Sequence, residues 1–141
     1  DRFLAKMSGT TRQGNWLYIV ADTLRKIGGV LEEEWPVLPE PFNWEDYYTS
    51  IPQFIIDRAK AQFTDKYDVA YEEVPITKDD IRKHLKHAPL QIVFPSHAVA
   101  GIILSSDGEN VTYFDTYDPY IKTIAINNLT IFSIFINSEK M

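Results

Sequence analysis

The sequence predicts an α+β fold in which helices precede an antiparallel β-sheet. Three observations carry that expectation. Apolar residues recur at helical spacing over Trp16–Ile27 and again over Ile51–Thr64. Residues Tyr67–Val74 alternate in the manner of a half-buried strand. The stretch Ser96–Tyr120 reads as a hairpin: an apolar run from His97 to Leu104, a turn at Ser105-Ser106-Asp107-Gly108, and a second run from Val111 to Asp115. A chain of 141 residues that is 45% hydrophobic and 24% charged has the size and composition of one globular domain, and no linker or repeat divides it.

Each element has a local reason. Residues 1–9 form a short mixed segment ending in the turn-forming pair Ser8-Gly9, and Thr10–Asn15 is a loop. In the first helix Trp16, Ile19, Val20, Thr23, Leu24 and Ile27 share a face, Asn15 is the expected N-cap, and Gly28-Gly29 supplies the stop. Val30–Pro41 is extended, because Pro36, Pro39 and Pro41 forbid a continuous helix. Its run Glu32-Glu33-Glu34 reads as a solvated charge patch, and Phe42–Tyr48 as an aromatic loop over the core edge. Pro52 suits the first turn of the second helix. Thr77-Lys78-Asp79-Asp80 has the form of a capping box for a third helix, which Ala88-Pro89 ends. Leu90–Phe94, Ile121–Ile126 and Leu129–Ile136 read as further strands.

Composition narrows the function. A formal charge of −6 offers no basic stripe for phosphates, which argues against nucleic acid as a partner. No apolar run reaches the roughly 18 residues of a membrane span, so no membrane partner is expected. The absence of Cys excludes a disulfide scaffold and a thiolate metal site and leaves the compartment open. His84 and His87 stand three apart on the third helix, but no third His or carboxylate converges on them, so no metal is assigned. The chain begins at Asp1 rather than Met, which suggests a processed or truncated product.

The hairpin carries the chemistry. His97 opens its first strand and Asp115 closes its second, 18 positions later. Antiparallel pairing brings the start of one strand beside the end of the other, so both side chains arrive at one end. A His held by a carboxylate is half of a nucleophile-activating triad.

This pattern resembles the papain-like cysteine peptidases. The family has a His-Ala-Val strand start bearing the base, then a strand ending in Asn or Asp, then an aromatic two positions on. The matching residues are His97, Asp115 and Tyr117. Residues 1–36 are similar to the family's segment just after its catalytic helix, including Gly28-Gly29, the acidic patch and Trp35-Pro36. The resemblance extends to about Ile124.

It implies an incomplete papain-like domain ending in a half-barrel sheet, with His97 as base, Asp115 as its orienting group and Tyr117 shielding the pair. Gly14 and Asn15 would stand where substrate backbone approaches. It implies a peptide or protein substrate and no cofactor. The family's Cys-bearing helix would lie upstream of residue 1, as the partner segment that completes the site. Two other readings remain open at the level of sequence. One is a non-catalytic papain-like module that binds a peptide or protein partner. The other is an unrelated small interaction domain in which His97 and Asp115 meet by coincidence.

Overall fold

The computed structural model describes residues 2–94 and 97–139, with side chains described as far as residue 129. It is an α+β chain. The helices α1 (Arg2–Met7), α2 (Leu17–Ile27), α3 (Trp44–Tyr47) and α4 (Gln53–Ala59) come first, and α4 runs on into a π-turn at Lys60–Thr64. Strand β1 (Tyr67–Val74) and helix α5 (Lys78–Leu85) follow. Then come β2 (Leu90–Phe94), β3 (His97–Leu104), β4 (Asn110–Phe114), β5 (Ile121–Ala125) and β6 (Thr130–Glu139). The strands lie in the order β1-β6-β2-β3-β4-β5. Backbone contacts divide the chain into two units, Asp1–Ala70 with Ile136–Met141 and Tyr71–Phe135. The divisions fall inside β1 and β6 rather than at a linker.

In the first unit, α1 is a helix where the sequence suggested only a mixed segment. Two burials account for it. Phe3 is fully enclosed with Ile55 and Ala59. Arg2, also buried, donates to the carbonyls of Asp46 (2.6 Å), Tyr47 (2.8 Å) and Pro36 (3.2 Å), and its guanidinium stacks over Trp35 at 4.8 Å. Tertiary anchoring thus secures six residues that are too few to be helical alone.

The aromatic loop also holds a helical turn, α3. Asn43 caps it by accepting from the Asp46 amide at 2.7 Å, and Phe42, Trp44, Tyr47 and Tyr48 pack ring against ring. Gly28 ends α2 at φ +93, its N–H returning to the Leu24 carbonyl at 2.9 Å. The acidic run is not uniformly solvated. Glu34 accepts from Arg58 at 2.8 Å and from Gln62 at 3.0 Å, while Glu32 accepts from the Val37 amide.

In the second unit, α5 begins at Thr77, whose hydroxyl accepts from the Asp80 amide at 3.1 Å and donates to the Asp80 carboxylate. Its Ile81 packs with Val74, Leu90, Ile92, Val99, Val111 and Leu129 into one apolar core. The strands β2, β3, β4 and β5 pair antiparallel in sequence order, and β6 pairs antiparallel with the free side of β2.

Alternation decides which side chains meet the core. Val99 and Gly101 of β3, Val111 and Tyr113 of β4, and Ile124 of β5 face it. A bulge between Gly101 and Ile103 shifts the pairing by one residue, so Leu104 faces the core as well. The segment Leu129–Ile136 expected from sequence lies within the longer strand β6 and the residue before it.

Candidate functional site

The site follows from strand alternation at one end of this sheet. His97 stands two residues before Val99, Asp115 two residues beyond Tyr113, and Lys122 two residues before Ile124. Side chains two apart on a strand share a face, so all three fall on the face that carries the core. They lie just past the last core residue of each strand.

His97 Nε2 stands 2.8 Å from Asp115 Oδ1. Lys122 Nζ donates to Asp115 Oδ2 at 2.8 Å. The Tyr117 amide donates to Oδ1 at 3.2 Å. The Asp115 amide in turn donates to the Tyr120 carbonyl at 2.7 Å, closing the loop that joins β4 to β5.

The Asp115 side chain is 6% exposed, His97 32% and Lys122 26%. The acid is therefore withdrawn beneath two partially exposed nitrogen bases. The Lys122 ammonium, then the hydrogen bonds from His97 and Tyr117, hold the Asp115 carboxyl far below the usual carboxylate range, against the opposing effect of burial. An ionised carboxylate only accepts, so the Nε2 facing it carries the ring hydrogen. In the neutral ring Nδ1 then keeps the lone pair, and that nitrogen is the one able to take a proton from a reactant.

The Tyr117 ring lies beside the imidazole, with centroids 5.3 Å apart and planes at 43°. It is 67% exposed, so it covers one side of His97 while standing largely in solvent.

Gly14 and Asn15 belong to the first unit. Gly14 closes a turn with Thr11, its N–H reaching the Thr11 carbonyl at 2.9 Å, at φ +99. The space a Cβ would take there is open. Asn15 is not the cap of α2. Its amide nitrogen donates to the Ser8 carbonyl at 3.0 Å and to the hydroxyls of Ser8 and Thr10, and its oxygen accepts from the Trp16 amide. It ties the loop together, and Trp16 takes the capping position without a side-chain bond.

His84 is buried in the last turn of α5, and His87 follows that helix. Among the described residues no three His, Asp or Glu side chains converge as a cation site. No helix among them is long and apolar enough to cross a membrane.

Sequence reasoning missed Lys122. Its signal was a single charge in an otherwise uncharged strand, at the parity of Ile124. Using that signal requires the β4–β5 register, which pairs Tyr113 with Lys122. No family model, curated protein or solved structure matches the chain.

Proposed function

We propose that this chain is the base-bearing part of a papain-like cysteine peptidase, with its sheet as that family's half-barrel. The observation that carries the reading is the 2.8 Å contact between His97 Nε2 and Asp115 Oδ1 at one end of the hairpin. The sequence contains no Cys, so on this reading the thiol comes from a segment outside it. His97 Nδ1 takes the thiol proton, and the thiolate attacks the carbonyl carbon of a peptide bond. The imidazolium returns the proton to the departing amine, and water then hydrolyses the thioester with His97 again as base. Asp115 holds the ring in orientation throughout, and Tyr117 screens it. Gly14 and Asn15 are the proposed contacts to substrate backbone. The substrate is a peptide or protein, and no cofactor takes part.

The test is to express the chain together with the coding sequence upstream of Asp1 and titrate it with a thiol-directed epoxide. The reading expects labelling of one upstream Cys. It also expects peptide hydrolysis that falls by about 10²–10⁴ in His97→Ala, the usual worth of a positioned base. An upstream segment without Cys, or labelling indifferent to His97→Ala, overturns it.

A second reading has its own observation. Lys122 already occupies one oxygen of Asp115, as in a structural ion-pair network, and the chain carries no thiol. A non-catalytic papain-like module that binds a peptide or protein partner accounts for both. It expects an upstream sequence without a reactive Cys.

A further inference from the structure

We infer that Lys122 is a positioning residue for His97, acting through Asp115. The inference deepens the peptidase reading, and its catalytic meaning rests on that reading. The placement itself depends only on the geometry.

Asp115 has two oxygens with different duties. Oδ2 receives the Lys122 ammonium, and Oδ1 receives His97 Nε2 and the Tyr117 amide. A carboxylate can turn about its Cβ–Cγ bond, and a withdrawn one that loses a partner turns toward water. Lys122 opposes that turn by holding the oxygen that His97 does not use. With Oδ2 engaged, Oδ1 stays aimed at the imidazole, and the ring keeps its hydrogen on Nε2 and its lone pair on Nδ1.

Three separate segments supply the parts: the start of β3, the end of β4 with the loop after it, and β5. Among the described residues, the charged and titratable groups bonded to the carboxylate are His97 and Lys122, with the Tyr117 ring beside His97. The hydrogen bond of Lys122 goes to Asp115 Oδ2, so its proposed role is orientation.

The experiment measures solvent exchange of the His97 Nε2 ring hydrogen by NMR in the isotopically labelled full chain at neutral pH. Wild type, Lys122→Arg and Lys122→Met are compared, and the backbone amides of Val111 and Ile124 serve as internal controls. The expected result is ring exchange faster by at least about fivefold in Lys122→Met, the ratio set by one hydrogen bond of ordinary net strength. Lys122→Arg restores slow exchange, and the control amides stay at wild-type rates. Should Lys122→Met not fold, Lys122→Gln removes the charge at similar length and is read the same way.

Wild-type ring exchange in a folded Lys122→Met or Lys122→Gln chain overturns the inference. So does acceleration of ring and control amides together, because that is general loosening. This outcome is independent of thiol labelling: a chain can pass here and still lack a peptidase nucleophile.

Discussion

A carboxylate withdrawn from solvent stays ionised only where donors replace its water shell, and among the described residues Asp115 has three: Lys122, His97 and the Tyr117 amide. Folding therefore depresses its pKa from the ordinary value near 3.8, chiefly through the Lys122 contact. A group depressed on folding stabilises the fold above its unfolded pKa, and that contribution is lost as pH falls toward the folded value. Denaturant midpoints should accordingly decline from about pH 5 to about pH 2, with Asp115 contributing a share of the slope. Asp115→Asn should lower stability at neutral pH and flatten this acid limb. An unchanged limb in the variant would mean that other acids carry the dependence. At this scale the sequence named His97 and Asp115, whose meeting follows from pairing within the hairpin, and Tyr117 in the loop just after it. It passed over Lys122, because the partner of Asp115 on β5 is set by the loop register and not by sequence distance.

Elements are held by their ends. The stop of α2 is demanding, since Gly28 combines φ +93 with a backbone neighbour: a Cβ there would stand 2.5 Å from the Ala59 carbonyl oxygen. Gly28→Ala meets a conformational cost of about 1–3 kcal/mol, because φ +93 with ψ −163 is essentially a glycine-only region, and a clash with rigid main chain besides. A loss of about 2 kcal/mol or more is expected in urea unfolding. Gly9→Ala, at φ +72 but in open space, should show only the conformational part. The start of α5 is a simpler case. Thr77→Ala removes the acceptor for the Asp80 amide and should cost about 1 kcal/mol by the same measurement.

Helix starts and stops of this kind were legible, because capping and glycine signals act within four residues. The short helices α1 and α3 were not, because α1 depends on Arg2 reaching carbonyls 34 to 45 positions away. Asn15 shows the same limit: a good cap by type, it is drawn instead into the loop by Ser8 and Thr10.

At the scale of the molecule, composition sets what the surface can attract. A chain at −6 near neutral pH should pass through a DNA-cellulose column at low salt without retention. Salt-sensitive retention would reveal a local basic surface that the net charge conceals. Backbone contacts group the chain into two compact units, each with its own apolar cluster. The division falls within strands, and a boundary inside a strand leaves no compositional mark.

The sequence by itself determined the class of the fold, the positions of most strands and long helices, and the meeting of His97 with Asp115. All of these rest on periodicity, turns and neighbours in the chain. Tertiary structure alone decided that Lys122 shares the acid, that Arg2 is buried and makes α1 a helix, and that β6 lies beside β2. Those outcomes depend on register and on burial between distant segments, where the free energy belongs to the pairing and no single stretch of residues encodes it.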